Sequence, residues 1–368
     1  MKRALTHLLV FAPLSLACIC QAQDDPEKAE LKRQIEELKQ AQKEMQQKFD
    51  SRISELEKKL ESRSQPKTES NPVKIEALVQ SRADFDSGAN DSFYLRRTEL
   101  KFSGKITPKI GWAVMIDPAK ELKLTNGASV NQASRILQDA FISLDMGGNW
   151  TLDVGQKKIP ISYEGLMPTY ALDTLERALF SSQGKLADVR DIGIQATGKW
   201  KQVEVTAAVL NGTGESQNTK DPNDQKTFGG RVIVKPNVAP GLQVGASALS
   251  GTGPSGTSTE RRGLEAVWKR NGLTVRSELV TGLDSNVRSQ GSYAHIGYQF
   301  APRWESLLRF DTFDPNRDLG NDEVSDAVLG LNYYIQDHNA KLQFNWVNRK
   351  FGNGSRRTIW QFGLQTKW

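Results

Sequence analysis

Hydrophobic and polar residues alternate with a period of two along most of the chain after Pro72. The last twelve residues, RTIWQFGLQTKW, show the pattern clearly. Trp360, Phe362, Leu364 and Trp368 fall on one side, and the residues between them fall on the other. Successive side chains of a β-strand point to opposite faces, so the pattern predicts strands with one apolar face and one polar face.

The predicted strands are about ten residues long, the length of a tilted strand that crosses a membrane. Short turns alternate with longer polar connections, which are predicted at 119–131, 159–186, 211–226, 251–260, 282–290 and 314–323. An up-and-down membrane barrel has such turns at one rim and such loops at the other. The pattern over 73–368 therefore predicts an all-β fold, a sixteen-stranded antiparallel transmembrane β-barrel.

The end of the chain is expected to close this barrel. An unpaired strand edge in a bilayer leaves backbone groups unsatisfied, at several kcal/mol each. The last strand should therefore pair with the first, with its aromatic face toward lipid. Trp368 should then lie in the aromatic belt at the turn side, where a terminal aromatic residue also serves as an assembly signal.

A different period precedes the barrel, with apolar residues at spacings of three and four and one stutter near Phe49. These residues are Leu31, Ile35, Leu38, Met45, Phe49, Ile53, Leu56 and Leu60. The pattern predicts a coiled coil at 24–62, followed by a linker at 63–72 that contains two prolines. A narrow apolar stripe needs partner helices, so an oligomer is expected. A single solvated helix is the alternative.

Residues 1–22 are predicted to be a secretory signal peptide, because Lys2 and Arg3 precede an apolar run and a small-residue cleavage site. A lipoprotein signal, which would acylate Cys18 or Cys20, is the alternative. These are the only two cysteines of the chain, so cleavage would leave no thiol for a disulfide or a metal site.

Composition excludes several classes of function. Beyond the N-terminus there is no run of about 18 uncharged apolar residues, so no α-helical membrane span is expected. Basic residues are scattered and balanced by acids, which argues against a nucleic-acid partner. His295 and His338 are far apart in sequence, which argues against a histidine metal site. Residues 314–320 begin like a calcium-binding loop, but the glycine comes one position late and the final glutamate is missing. No metal, cofactor or catalytic set is predicted, and hence no enzyme.

Six segments carry a resemblance to a known family: FYLRRTELKFSGKI (93–106), LQDAFISLD (137–145), LDVGQKKIPIS (152–162), LDTLERALF (172–180), RDIGIQATGKW (190–200) and AAVLNGTG (207–214). In order and spacing they resemble the phosphate-selective porin O and P family, over nearly all of 73–368. The resemblance implies a homotrimeric porin in the outer membrane of a Gram-negative cell. It also implies a third long loop folded into the pore and passive diffusion of small anions such as phosphate or pyrophosphate.

Selectivity in a pore depends on the charges at its constriction. The candidate anion-binding residues of the pore are Arg97, Lys101, Lys157, Lys158, Arg96, Arg231, Arg276 and Arg309. Arg96 and Arg97 match the tandem arginine of the family, and the arginine fork suits oxyanions. Alternation turns only one of them inward, so Arg96 is expected to reach toward the rim. Pairing of Arg97 with Glu99 or Asp139, as structural filling of the pore, is the alternative.

Lys157 and Lys158 lead into the third long connection, where ALDTLERALF has helix-like spacing. They are expected near the constriction, and a solvated pair at a strand end is the alternative. The resemblance implies a lysine cluster there. The connection offers Lys158 and Lys185 against four acids, Glu164, Asp173, Glu176 and Asp188, which weakens the case for phosphate specificity.

Two classes of function remain open. The first is a channel for small anions, with a general or cation-preferring porin as its competitor. The second is an envelope tether or adhesin, in which the barrel is an anchor in outer-membrane lipid and the coiled coil contacts the cell wall from the periplasm. Alternating charges on the polar strand faces favour the channel, because an anchor does not need them.

Overall fold

The computed structural model describes residues 26–64, 72–120, 122–125, 128–131, 136–214 and 218–368. The chain divides into two units, residues 1–70 and 71–368. The predicted signal peptide at 1–22 and residues 65–71 of the predicted linker lie outside the described residues.

The first unit contains one helix, α1 (Pro26–Ser64). Proline suits the first turn of a helix because its φ is already helical and its missing N–H is not needed there. Apolar side chains such as Leu38 and Phe49 are exposed along α1. Ion pairs one turn apart, for example Lys39 with Glu36 at 3.2 Å, line its surface. The helix is present, and the coiled coil remains a prediction.

The second unit consists mainly of β-strands. They are β1 (Lys74–Asp86), β2 (Ser92–Thr107), β3 (Ile110–Ile116), β4 (Leu122–Thr125), β5 (Ala128–Asn131), β6 (Leu137–Gly147), β7 (Trp150–Lys158), β8 (Arg190–Lys199), β9 (Val203–Leu210), β10 (Thr227–Val234), β11 (Leu242–Thr252), β12 (Ser258–Arg270), β13 (Leu273–Asp284), β14 (Val287–Ala301), β15 (Trp304–Asp314), β16 (Val324–Gln336), β17 (Ala340–Phe351) and β18 (Arg356–Lys367). Strands β4 and β5 form a separate hairpin, and the other sixteen close into one antiparallel barrel. The predicted sixteen-stranded barrel is confirmed. None of the helices in the described part of the chain has the length and apolar character needed to cross a membrane.

Closure joins the two ends of the barrel chain. β1 pairs with β18 in antiparallel register, with Phe85 opposite Trp360. Phe362 and Leu364 lie exposed on the outside, whereas Gln365 is buried on the inside. The faces predicted from the terminal alternation are therefore confirmed.

The connections follow the predicted order of turns and loops, with one correction. Asn271 and Gly272 turn the chain between β12 and β13 with φ of 51° and 78°, the left-handed backbone that asparagine and glycine tolerate best. The long connection predicted at 282–290 is wrong. Only residues 285 and 286 separate β13 from β14, because Asp284 still pairs with Val287. Polar residues there continue the strands instead of leaving the sheet.

The main hydrophobic core lies inside the barrel. Residues 159–189, the connection between β7 and β8, are here named the inward segment. Ile161, Phe180 and Leu186 of this segment are fully buried. They cluster with inner-wall residues of β9, β11 and β13–β15, among them Leu210, Leu249, Val280, Tyr293 and Phe313.

Candidate functional site: the inward segment and the barrel wall

The inward segment consists of short helical turns joined by extended backbone. Helix α2 (Tyr163–Leu166) begins after Ser162, whose Oγ accepts a hydrogen bond from the Gly165 N–H at 2.9 Å. A 3-10 helix covers Thr169–Ala171, and α3 covers Leu179–Ser182. The helix-like spacing of 171–180 does not produce a helix over 172–178, and only its last two residues belong to α3.

Side chains of β16 and β17 explain this extended stretch, because they satisfy its backbone in place of helical hydrogen bonds. Lys341 Nζ donates to the Leu172 carbonyl, Asn332 Nδ2 donates to the Asp173 carbonyl at 2.8 Å, and the Leu175 N–H donates to Asn345 Oδ1 at 2.8 Å. The three wall residues are almost fully buried. The wall therefore determines the conformation of the segment.

Two buried ion pairs fasten the segment to β13 and β15. Arg309 Nη1 lies 2.7 Å from Glu164 Oε1, and Arg276 Nη2 lies 2.5 Å from Asp173 Oδ1. His295 Nε2 is 3.3 Å from the other oxygen of Asp173. Losing one partner of such a buried pair costs about 3–5 kcal/mol, since a desolvated charge is left alone. Arg276 and Arg309 thus hold the segment in place.

The tandem arginines meet a third carboxylate of the segment. Gln80 of β1 pairs with Arg97, and the next residue of β1 pairs with Leu95, so Arg96 is the extra residue of a β-bulge. Both arginines therefore point inward. Arg97 donates to Gln80 Oε1 at 2.9 Å, and Arg96 binds both oxygens of Glu176 at 3.1 Å. The prediction that Arg96 turns away toward the rim is wrong, because the bulge breaks the alternation.

Glu176 has a second basic partner in Arg82 of β1. Burial alone would raise the pKa of the Glu176 carboxyl, but the guanidiniums of Arg96 and Arg82 hold it well below its ordinary value. The pKa of Asp188 is lowered in the same way, against burial, by Arg177 and Lys158. These carboxylates are therefore charged at neutral pH.

Three more of the predicted basic residues also hold acidic partners: Lys157 with Asp153, Lys158 with Asp188 at 2.6 Å, and Arg231 with Glu265 at 2.5 Å. Lys101 differs from them. Its half-buried side chain extends from the inner face of β2 and makes no ion pair or hydrogen bond with any described residue. Of the eight predicted residues, Lys101 alone is unpaired within the described part of the chain.

Basic groups gather where β2, β7, β8 and the inward segment meet. The basic cluster consists of Arg97, Lys120, Lys158, Arg177 and Arg190. Four carboxylates face these five basic groups, those of Glu99, Asp117, Asp139 and Asp188. Burial and the nearby guanidinium of Arg190 lower the pKa of Lys120 to about 8. The site therefore carries a small excess of positive charge.

Sequence reasoning missed four basic residues of this region: Arg82, Lys120, Arg177 and Arg190. The inward direction of Arg82 could have been predicted, because it alternates with the outward residues of the first strand. Arg177 and Arg190 lie in segments that carry the family resemblance, but alternation gives no direction for residues in loops or at strand ends. Among the described residues, no group of His, Cys, Asp and Glu side chains is arranged to hold a metal ion.

Comparisons with known proteins bear on the family and the barrel fold. A model of the family described as phosphate-selective porin O and P matches residues 73–261 and 250–356, which confirms the predicted resemblance. No curated protein sequence matches the chain.

The chain is similar to three solved porin-like structures. The first is an anion-selective porin from Comamonas acidovorans, with 12% identity, a TM-score of 0.58, and 81% of this chain and 99% of that chain covered. The outer membrane channel DcaP of Acinetobacter baumannii has 11% identity, a TM-score of 0.56, and 80% and 97% covered. OmpT of Vibrio cholerae, in its trimer form, has 9% identity, a TM-score of 0.56, and 81% and 99% covered. At these identities the likeness shows the fold alone.

Proposed function

Because the chain belongs to the phosphate-selective porin O and P family, we propose that its barrel is an outer-membrane channel for passive diffusion of small anions, such as phosphate or pyrophosphate. The basic cluster is the observation that most strongly supports a preference for anions. Five basic groups outnumber four carboxylates beside the segment that narrows the pore. In a narrow passage an excess of one charge sign raises the local concentration of ions of the opposite sign.

The outer face supports a membrane location. Apolar side chains such as Phe93, Leu264 and Phe310 project outward and are more than half exposed. Tryptophans concentrate at the end of the barrel that has the short turns, which is here named the turn end. They are Trp112, Trp150, Trp200, Trp268, Trp304 and Trp368. An apolar band bordered by aromatic residues is the pattern of a barrel in lipid.

We further propose a homotrimer with α1 in the periplasm. The exposed heptad residues of α1, including Leu31, Ile35 and Leu56, would be buried by pairing with copies of the same helix. The OmpT structure described above is a trimer form. In this arrangement residues 1–22 are a cleaved signal peptide, 24–62 the coiled coil, 63–72 a linker and 73–368 the pore domain. The cell wall is a candidate partner of the coiled coil.

Reversal potentials in planar bilayers under a KCl gradient test the anion preference. We expect chloride to be preferred over potassium, and millimolar phosphate to reduce the chloride current. A preference for potassium would contradict the proposal. The basic cluster supplies the physical reason, because its charges interact with one another and the field of each extends over about a Debye length, roughly 10 Å at 0.1 M salt.

A general porin is the second candidate, and one observation favours it. Seven of the eight predicted anion-binding residues hold partners, leaving a small excess of charge. Chloride preference without block by phosphate would support this candidate. An envelope tether, the remaining alternative, predicts no conductance in the same bilayers.

A further inference from the structure

We infer that solutes pass along the inner face of β2, where Lys101 and Lys105 select anions, and not along the wall formed by β13–β18. The inference rests on the proposed channel function. It gives the selecting role to lysines that lack ion pairs, and leaves the arginines of the opposite wall a structural role.

The inward segment occupies the β13–β18 side of the pore. It binds this wall through ion pairs and hydrogen bonds contributed by Arg276, Glu278, His295, Arg309, Asn332, Lys341, Asn345 and Gln365. The apolar inner residues Val328 and Val347 of the same wall are also buried, at 8% and 5% exposure. At the depth of these contacts a hydrated ion therefore has little access to this side, whereas at the turn end the wall borders a cavity of about 440 Å³ lined by Glu305, Tyr334 and His338.

β2 marks the border of the occupied region. Thr169 of the inward segment donates its hydroxyl hydrogen to Glu99, with Oγ1 at 2.8 and 2.7 Å from the two carboxylate oxygens. Beyond Glu99, toward the turn end, the next inward positions of β2 are Lys101, Ser103 and Lys105. Exposure increases along them, from half-buried at Lys101 and Ser103 to exposed at Lys105. The open space therefore begins at Lys101.

The charges around these lysines leave them free to act on a passing ion. Neither Lys101 nor Lys105 makes an ion pair with a described residue. Glu76 lies opposite Lys101 on β1 and interacts with its charge, but the Glu76 carboxylate is paired with Lys74 and lies 4.0 Å from Lys367, so it forms no ion pair with Lys101. On the other side, β3 presents uncharged residues, with Met115 opposite Lys101, Ala113 opposite Ser103 and Gly111 opposite Lys105.

Spacing makes the two lysines successive sites on one path. Residues four apart on a strand are separated by about 13–14 Å, and both side chains point to the same face. An anion leaving the basic cluster therefore meets Lys101 and then Lys105 before it reaches the turn end. Arg309, in contrast, is 2% exposed and paired with the carboxylates of Glu164 and Asp311, so its charge is cancelled where it lies.

Charge reversal tests the selecting role. We expect the double variant Lys101→Glu/Lys105→Glu to lower the ratio of chloride to potassium permeability by at least about threefold, the order expected when unit charges beside an ion in water change sign. The matched control Lys101→Arg/Lys105→Arg keeps both charges and should keep the ratio. An unchanged ratio in the Glu variant, with an anion-selective wild type, would overturn the inference and leave the proposed function intact. A potassium-selective wild type would overturn the proposed function itself.

Cysteine accessibility tests the path independently of charge. The sequence has no cysteine after Cys20, so single cysteines can be placed in the barrel. Ser103→Cys and Val347→Cys are matched, near-isosteric changes on the two sides of the inner wall. Under an anionic methanethiosulfonate reagent, we expect Ser103→Cys channels to lose conductance while Val347→Cys channels stay unchanged. Modification of Val347→Cys with no effect at Ser103→Cys would overturn the inference, whatever the selectivity of the channel.

Discussion

Arg309 of β15 and Lys101 of β2 both point into the barrel, from different sides, yet their surroundings differ. Arg309 is buried against the inward segment and binds Glu164 at 2.7 Å. Lys101 is only half-buried and holds no partner among the described residues. The comparison teaches that a basic residue in a pore can serve either structure or selectivity. Burial and pairing decide which role it has, because a paired charge produces little field at a distance.

The largest expected effect comes from removing the buried ion pair between Arg309 and Glu164. Arg309→Met leaves the Glu164 carboxylate buried without its partner, so we expect a loss of about 3–5 kcal/mol in the free energy of unfolding. The inward segment should also detach, which would raise single-channel conductance and noise. Thermal unfolding of the detergent-solubilised protein and bilayer recordings measure the two effects.

The matched control for this change is Arg288→Met. Arg288 pairs with Asp318, but their side chains are 62% and 46% exposed, and such surface pairs contribute about 0–1 kcal/mol. Equal losses in the two variants would contradict the structural role of Arg309. The double variant Arg309→Met/Glu164→Leu should recover part of the lost stability, since it removes both buried charges.

A smaller effect is expected when a carboxylate of the inward segment is neutralised and all the basic residues are kept. Glu176→Gln leaves Arg82 and Arg96 without their shared carboxylate. We expect the ratio of chloride to potassium permeability to rise about threefold, the order that one unit charge near an ion produces in water. Glu176→Asp keeps the charge and should change the ratio less. An unchanged ratio for Glu176→Gln would show that this region does not face the ion path.

Glu176 itself should add no pH dependence to the channel between pH 7 and pH 5. The pKa of Glu176 is held well below its ordinary value of 4.5 in the folded protein. A carboxyl with a lowered pKa contributes its stabilisation above the ordinary value and loses it only as pH falls through the folded-state pKa. Titration of Glu176 should therefore contribute no change in conductance between pH 7 and pH 5. A conductance increase at pH 5 that Glu176→Gln abolishes would contradict this.

The smallest expected effect concerns Lys120 of the basic cluster. Its pKa of about 8 means that it is mostly protonated at pH 7 and mostly neutral at pH 9. Anion preference should therefore fall by up to about twofold between these pH values, a modest change because a single screened charge is lost. Lys120→Arg stays charged throughout and should reduce the pH dependence. If the variant titrates like the wild type, another group is responsible.

Much of the fold could be predicted, because alternation is a local property. The faces of the last strand, the turn at Asn271 and Gly272, and closure of β1 with β18 all follow from period-two patterning and the need to pair every strand edge. The extended conformation of 172–178 could not be predicted. Its helix-like spacing is overridden by donors such as Asn332, which come from strands distant in sequence.

The chain's residues by themselves determined the barrel, the direction of most inward side chains and the family, since these depend on composition and spacing along single strands. Only the tertiary structure decided what each inward charge does. The bulge that turns Arg96 inward and the burial of Arg309 against Glu164 both depend on neighbours far along the chain. A charge acts through its distance to other charges and its exposure to water, and neither quantity is a local property of sequence.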